Sequence, residues 1–193
     1  MPRHTRSLIG LAVAAIGLGT VAVKSGAFFE KPVFPGQVEV FFSPKGGCTE
    51  AVVSALRKAR KSVHVQAYSF TNTAIAKALV EAHLRGVQVT MIMDKSQETE
   101  QYNAADYVLR GGIPTFMDGA HQIAHNKVMI IDEATVITGS FNFTQAAESK
   151  NAENLVVFHQ SPAIAAKYLE NWQEHFKHST RFQRGQPAEK KRR

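Results

Sequence analysis

Short apolar runs alternate with helical patterns along residues 31–176. Residues 38–42 and 87–93 are brief runs that contain several β-branched side chains, which is typical of strands. Residues 49–61 instead place apolar side chains at helical spacing. This alternation predicts an α/β layer fold with a mainly parallel sheet.

The same reading assigns an element to most of this region. Asn72 or Thr73 is a candidate cap for the second helix, and Ser161 followed by Pro162 is a typical start for the last. We find no internal repeat or linker in residues 31–176. The predicted strands are 38–42, 62–70, 87–93, 113–117, 128–131, 135–138 and 155–159, and the predicted helices are 49–61, 73–85, 98–110 and the segment from 162 onward.

The two ends of the chain differ from this middle region. Residues 1–7 are basic and polar, residues 8–23 are apolar, and small residues follow at Ser25 and Ala27. This order predicts a secretory signal over 1–27, with an uncleaved membrane anchor as the alternative. With either a signal or an anchor, we expect the domain at 28–176 to be exported, to the periplasm or outside a bacterial cell. Residues 177–193 form a basic segment, read as a flexible tail.

Charge is unevenly distributed along the chain. The formal net charge is +7, with +2 in residues 1–30, +6 in residues 177–193 and −1 between them. A folded domain coated in positive charge is therefore excluded. A polyanionic partner would be held by a local groove or by the basic tail, which is otherwise a frayed, solvated end. Cys48 is the only cysteine, which excludes an internal disulfide and a multi-cysteine zinc site.

Residues 128–131 and 135–138 predict a β-hairpin. The first run is continuously apolar, as in a strand buried on both faces, and the second is β-branched at every position. Centring the turn on Glu133 and Ala134 pairs residues whose numbers sum to 267. An odd-length turn would shift this register by one residue and change which side chains share a face.

In that register four polar side chains share one patch. Lys127 lies opposite Ser140, and His125 lies opposite Asn142. The ammonium, hydroxyl and carboxamide would form a cradle for a tetrahedral oxyanion, with the imidazole as nucleophile or acid. Asp132 is an odd number of residues from both His125 and Lys127, so we expect it at the hairpin tip, in a structural role.

The spacing His-x-Lys-x4-Asp followed by Gly-Ser-x-Asn resembles the signature of the phospholipase D superfamily. Its members here are His125, Lys127, Asp132, Gly139, Ser140 and Asn142. The flanking segments 67–70, 139–144 and 151–154 resemble those of the small secreted bacterial endonucleases of that superfamily. The resemblance covers most of residues 36–176.

This resemblance implies a fold and a set of roles. The fold would be an α/β/α sandwich with a central mixed, mainly parallel sheet flanked by helices. His125 would attack phosphorus and form a phosphohistidine, while Glu153 would orient the imidazole. Lys127, Asn142 and Ser140 would bind the phosphate, and Asp132 enters the catalytic set as a motif member. The donors are cationic or neutral, and no metal or cofactor is implied.

The resemblance also implies a partner. The family mechanism uses two histidines, whereas this chain has one copy of the motif, so a homodimer would share one active site across its two-fold axis. The expected activity is that of a non-specific endonuclease acting on nucleic acid. A phospholipase D acting on lipid headgroups remains the alternative, and only that substrate or an uncleaved N-terminal segment would involve a membrane. A non-catalytic binding module is disfavoured because binding needs no nucleophilic imidazole.

Several aromatic residues and the other histidines lie outside the predicted catalytic set. Tyr68 and Phe141 either stack on substrate or pack in the core, and Trp172 and Phe176 are expected in the core. His121 is near the strand that follows His125 and is a minor candidate for the groove. His64, His83, His159 and His175 are expected to be surface or otherwise satisfied polar residues.

Overall fold

A computed structural model of the chain describes residues 38–100 and 104–183, in which a single eight-stranded sheet has helices on both faces. The strands are β1 (Val38–Ser43), β2 (Ser62–Ala67), β3 (Gln88–Asp94), β4 (Thr115–Asp118), β5 (Lys127–Ile131), β6 (Thr135–Gly139), β7 (Glu153–Phe158) and β8 (Thr180–Arg181). The helices are α1 (Cys48–Lys58), α2 (Thr73–Leu84), α3 (Ala105–Arg110), α4 (Gln145–Ser149) and α5 (Pro162–His178), and a 3₁₀ turn covers Lys95–Glu98.

The strand order is β1-β7-β6-β5-β2-β3-β4-β8. Only β2–β3 and β3–β4 are parallel pairs, while the other five neighbouring pairs are antiparallel. The α/β class and the mixed, helix-flanked sheet are confirmed, but the prediction of a mainly parallel sheet is wrong. Parallel neighbours need a crossover of a dozen or more residues. The turn 132–134 is far too short for one, and β7 returns beside β6 in the antiparallel direction.

Each face of the sheet has its own apolar core. Alternate residues of β5 divide between the faces: Met129 packs in the core that includes α1 and α2, and Ile130 packs in the core that includes α5. The run 128–131 is buried throughout, as its continuous apolar sequence predicts. Trp172 of α5 is buried, and its indole Nε1 donates to the Val65 carbonyl at 3.0 Å. Phe176 stacks on Trp172 but stays partly exposed, so it lies at the edge of this core.

Local side-chain chemistry fixes some boundaries and moves others. Asn72 caps α2, with its side chain accepting from the Ala74 and Ile75 amides. The helix predicted at 98–110 is limited to the shorter α3. The Asp94 side chain accepts from the Ser96 amide and starts the 3₁₀ turn instead. The short helix α4 was not predicted.

The C-terminal segment is more ordered than its composition predicts. Helix α5 continues to His178, and β8 then pairs antiparallel with β4. The Phe182 amide donates to the Thr115 carbonyl at 2.9 Å. A flexible tail beginning at residue 177 is therefore wrong, because residues up to 182 are tied to the sheet.

Two other predictions lie outside the described residues. The signal or anchor at 1–27 falls in the N-terminal part, and the final basic cluster falls in residues 184–193. Within 38–100 and 104–183, none of the helices has both the length and the apolar content that crossing a bilayer requires.

Candidate active site

The predicted site residues gather at one end of the sheet. Lys127 begins β5, Gly139 ends β6 and Glu153 begins β7, and these three strands are antiparallel neighbours. The start of β5, the end of β6 and the start of β7 therefore lie at the same edge of the sheet. The carboxyl end of β2 also lies there, because Ala67 pairs with Lys127. We call this edge the site end of the sheet.

The β5–β6 hairpin has a register one residue away from the predicted one. Met129 pairs with Ile137 and Ile131 with Thr135, so paired numbers sum to 266. The turn has three residues, and Asp132 and Glu133 both adopt left-handed backbone angles, with φ of 53° and 55°. Extending this register places Lys127 opposite Gly139. The predicted Lys127–Ser140 and His125–Asn142 pairs are therefore wrong, since the turn is odd in length.

The shift gives Ser140 and Asn142 different surroundings from those predicted. The Ser140 hydroxyl accepts from the backbone amide and the side-chain amide of Asn154, at 3.0 and 3.2 Å. It therefore ties the end of β6 to the start of β7. Asn142 Oδ1 is buried and, among the described residues, has no hydrogen-bond partner. The unused capacity is that of an acceptor, because an amide oxygen cannot donate. Phe141 is fully buried and belongs to the core.

Lys127 is a buried cation, with 6% of its surface exposed. Its ammonium donates to the His125 carbonyl at 2.6 Å and lies 5.1 Å from the Tyr68 ring centroid. Burial lowers the pKa of Lys127, and the charge of Glu153 partly opposes that effect. A positive charge held with little water around it interacts strongly with an anion that enters beside it.

His125 is exposed in the loop that leads into β5. Its imidazole packs against the Tyr68 ring with centroids 4.5 Å apart, and the Tyr68 amide donates to the Asn126 carbonyl at 3.0 Å. Tyr68 therefore contacts both His125 and Lys127, which resolves the choice between core packing and the site. An open pocket of about 240 Å³ continues from Tyr68 along Ser69 and Thr71.

Asp94 fixes the loop that carries His125, a role that the sequence did not reveal. Its carboxylate is buried and accepts from the Ala124 amide at 2.6 Å. Burial raises the pKa of Asp94, but hydrogen bonds from Ser96 and Ala124 outweigh it, so the pKa lies below its usual value. An aspartate at a strand end with a serine two residues later was the available signal.

Glu153 lies at the site end but is not bonded to the imidazole. Its Oε1 accepts from the Asn151 side-chain amide at 3.1 Å, and its charge acts on Lys127. Among the described residues, no hydrogen bond joins Glu153 to His125. The predicted orienting contact is therefore not made within this chain, although the charge of Glu153 acts on Lys127, which in turn donates to the His125 carbonyl.

Gly139 allows β6 and β7 to approach closely at the site. Its φ is +147°, and a Cβ built on it would lie 2.3 Å from the Asn154 carbonyl oxygen. A side chain would therefore collide with backbone. The space beside Gly139 is taken by the neighbouring strand β7.

Asp132 lies at the opposite end of β5, about 17 Å from Lys127 at 3.4 Å per residue. Its carboxylate accepts from the backbone amides of Arg60, Lys61 and Ser62 at 2.7 to 3.1 Å. This confirms the predicted structural role. Its place in the catalytic set is wrong, because its oxygens are occupied by the amides of the segment that leads from α1 into β2.

The site therefore combines an exposed imidazole with a buried ammonium. The imidazole nitrogens are accessible to an electrophile, and the ammonium beside them offsets negative charge that develops there. The polar groups of Ser140 and Asn142 lie on the following segment of the same edge. Such an arrangement suits nucleophilic attack on a phosphate ester.

Comparisons with known proteins agree with this chemistry. A family model described as "Cardiolipin synthase, PLD-like domain" matches residues 52–178. A phospholipase D of Rickettsia typhi is 41% identical over 135 residues, which cover 70% of this chain and 66% of the relative. One of Rickettsia conorii is 40% identical over 136 residues, covering 70% and 68%. The chain thus spans about two thirds of the length of these relatives, and slightly less for the first.

Solved structures give the same family. Nuc from Salmonella typhimurium, described as a phospholipase D family member, has a TM-score of 0.73 and 42% identity, covering 76% of this chain and 97% of Nuc. NucT from Helicobacter pylori has a TM-score of 0.69 with 23% identity, covering 76% and 99%, and supports the fold alone. The family match covers more than half of the chain, and together with these relatives it shows that the chain is a phosphodiesterase of the phospholipase D superfamily.

Proposed function

We propose that this protein is a metal-independent endonuclease that cleaves phosphodiester bonds of nucleic acids through a phosphohistidine. The observation that carries the proposal is the pairing of an exposed nucleophile, His125, with a buried ammonium, Lys127. The ammonium donates to the backbone carbonyl of the same histidine at 2.6 Å, and the Tyr68 ring contacts both the imidazole and the ammonium. Neither group needs a metal ion to act on phosphorus.

The reaction proceeds in two displacements. An imidazole nitrogen of His125 attacks phosphorus, forming a P–N bond while the P–O bond to the leaving group breaks. A second imidazole donates its proton to the leaving oxygen. That imidazole then removes a proton from water, whose oxygen attacks phosphorus as the P–N bond breaks. The products are a phosphate monoester and a free hydroxyl, and both imidazoles return to their starting states.

Lys127 supplies electrostatic stabilisation in both steps. Negative charge grows on the non-bridging oxygens as each nucleophile approaches, and a cation already in place stabilises it without rearranging. The side-chain NH2 group of Asn142 is the second candidate donor to those oxygens, as the family resemblance implies, because the carboxamide oxygen can only accept. Glu153 maintains the charge of Lys127 by opposing the effect of burial. We assign its second role, the orientation of the His125 imidazole, to the substrate-bound state.

The second imidazole is His125 of another copy of the chain. Two copies related by a two-fold axis at the site end would bring the two histidines to one phosphate. Phe42 and Ile123 support this placement. Both are large apolar side chains exposed at or beside the site end, where an interface would cover them. Phe42 pairs with Asn154 at the start of β7, and Ile123 is two residues from His125.

Subunit mixing tests the shared site. Wild-type chain and His125→Ala are mixed in equal amounts under conditions that allow exchange. If both histidines serve one site, only dimers with two wild-type subunits are active. Random pairing then leaves about one quarter of the activity of an equal total amount of pure wild-type protein. Independent sites, in monomers or in dimers, would leave about half, and that result would contradict the shared site. Light scattering on each protein gives the mass in solution.

Nucleic acid is the favoured substrate, and phospholipid is the second candidate. Three observations favour nucleic acid: the resemblance of segments 67–70 and 139–144 to secreted endonucleases, the open pocket beside Tyr68, and the basic charge of residues 177–193. The Rickettsia relatives, which carry the name phospholipase D, favour a lipid headgroup.

The decisive experiment offers both substrates to the full chain in the presence of a chelator. Plasmid DNA should be nicked and then fragmented, while phosphatidylcholine vesicles should release no choline. His125→Ala should lose activity by several powers of ten, because the covalent nucleophile is removed. His159→Ala is the matched control, since His159 lies at the far end of β7 beside Glu39. Choline release without DNA cleavage would contradict the endonuclease proposal and support a phospholipase D activity. Failure to trap a labelled phosphoryl group on wild type would overturn the mechanism.

A further inference from the structure

Four potential metal ligands from three segments of the chain meet on the face of the sheet that α5 covers. Asp118 is the last residue of β4, and His121 follows three residues later. His175 and His178 lie one helical turn apart at the end of α5, so their side chains leave the same face of the helix. The proposed reaction uses none of these four residues.

The three imidazoles converge on one carboxylate. Asp118 Oδ2 lies 3.0 Å from His121 Nδ1, 2.7 Å from His175 Nδ1 and 3.3 Å from His178 Nε2. The imidazole rings also contact each other, with centroids 4.7 to 5.5 Å apart. The four ligand atoms all lie within 4.8 Å of one another. We call these residues the histidine cluster.

Burial is graded across the histidine cluster. The side chain of Asp118 is fully buried, and those of His175, His178 and His121 are 12%, 36% and 46% exposed. A buried carboxylate at the base and two partly exposed imidazoles at the rim leave a route from solvent. The Ala120 amide also donates to Asp118 Oδ1 at 3.0 Å, which fixes the carboxylate from behind.

The donor set fits a closed zinc site. Zinc in structural sites takes four nitrogen, sulfur or oxygen ligands in a tetrahedron, with bonds of about 2.0–2.2 Å to histidine and carboxylate. Ligand atoms in such a tetrahedron lie about 3.3 Å apart, so small side-chain rotations would close the cluster around an ion. Three neutral imidazoles and one carboxylate leave a net charge of about +1 on the zinc complex, which suits a partly exposed position.

We propose that Asp118, His121, His175 and His178 bind a divalent transition metal ion, zinc foremost, as a structural site. The ion would join the end of β4 and the end of α5 to the loop that leads to His125. Only three residues separate His121 from His125, and Ala124 among them is already held by Asp94. The site stabilises the loop and takes no part in phosphoryl transfer. Chelation therefore lowers thermal stability, while cleavage below the melting temperature continues.

Metal binding to the untagged full chain tests the site directly. The protein is stripped with a chelator, dialysed and titrated with zinc chloride by calorimetry. We expect one zinc ion per chain, and a Tm raised by about 5 °C or more when free zinc is about a hundredfold above Kd. Cobalt(II) should give the visible absorption of a tetrahedral site. The absence of saturable binding and of any Tm shift would overturn the proposal and leave a hydrogen-bond network only.

Variants locate the ion. His121→Ala and His178→Ala change partly exposed residues, so both chains should fold, as circular dichroism would verify. Each should weaken zinc binding at least about tenfold. His159→Ala and His125→Ala should bind zinc as wild type does, which separates this site from the proposed catalytic one. Zinc binding unchanged in both cluster variants would contradict the assignment.

Discussion

The two ends of β5 use their polar groups in opposite ways. At the Asp132 end, one carboxylate accepts from three consecutive backbone amides and its hydrogen-bonding capacity is largely used. At the Lys127 end, the ammonium is buried with a lowered pKa, and the His125 imidazole is left exposed. Residues of one sequence motif therefore serve two purposes. One end stabilises the fold, and the other keeps reactive groups available at a cost in stability.

Lys127→Met should give the largest difference between the effect on cleavage and the effect on stability, and so distinguish the two ends of β5. Removing the cation should lower the cleavage rate about 10³-fold, as loss of a preorganised charge does in other active sites. The free energy of unfolding should stay within about 1 kcal/mol of wild type, because the ammonium is already disfavoured by burial. Cleavage rates and urea denaturation measure the two quantities. Lys77→Met, at an exposed position on α2, is the control. A loss of less than tenfold would remove Lys127 from the mechanism.

Gly139→Ala should destabilise the site end. The new Cβ meets the Asn154 carbonyl, and the backbone angle is unfavourable for alanine, so we expect a loss of about 2–4 kcal/mol. Gly86→Ala separates the two causes, since Gly86 also has a positive φ but has nothing within 4 Å of the added Cβ. That control should cost about 1–2 kcal/mol. Equal losses in the two variants would mean that the close approach of β7 is unimportant.

Asp132→Asn should affect stability without affecting chemistry. Asparagine tolerates the left-handed angle at this position, so the substitution removes the charge and one acceptor while keeping the shape. We expect a loss of about 1–2 kcal/mol in urea denaturation and an unchanged rate per folded molecule. Glu133→Gln makes the same chemical change at the exposed neighbour and should be neutral. A large fall in rate, with folding intact, would return Asp132 to the catalytic set.

Local patterns in the sequence predicted much of this fold. The continuous apolar run of β5, the Asn72 cap and the structural role of Asp132 all depend on neighbouring residues, and all are confirmed. The predicted hairpin register was wrong because the turn has three residues, and two of them, Asp132 and Glu133, take positive φ angles. Neither residue is a glycine, so the sequence did not indicate this turn length.

Features that depend on distant parts of the chain were the ones missed. Strand order and direction depend on pairing between segments far apart, so the mainly parallel sheet was a poor inference. His175 was expected to be a surface or satisfied polar residue, but nothing in the sequence indicated that its partner is Asp118, 57 residues away. No periodicity or motif links two such positions. The phosphate-binding roles of Ser140 and Asn142 stay predictions, since they came from the family resemblance and the register that supported them has shifted.

The smallest expected effect is a shift in the pH dependence of cleavage. Because burial lowers the pKa of Lys127, the alkaline limb of kcat/KM should fall below the usual lysine value of about 10.4. Stability should change in the opposite direction over that range. Between the folded-state pKa and the higher unfolded-state pKa, the unfolded chain binds more protons, so stability rises with pH as activity falls.

Glu153→Gln sharpens this test, because it removes the charge that opposes burial and so lowers the pKa of Lys127 further. The alkaline limb should then move to lower pH. Glu39→Gln, which changes a carboxylate near the far end of β1, should leave the limb in place. A limb that stays fixed in Glu153→Gln would show that the carboxylate acts on some group other than Lys127.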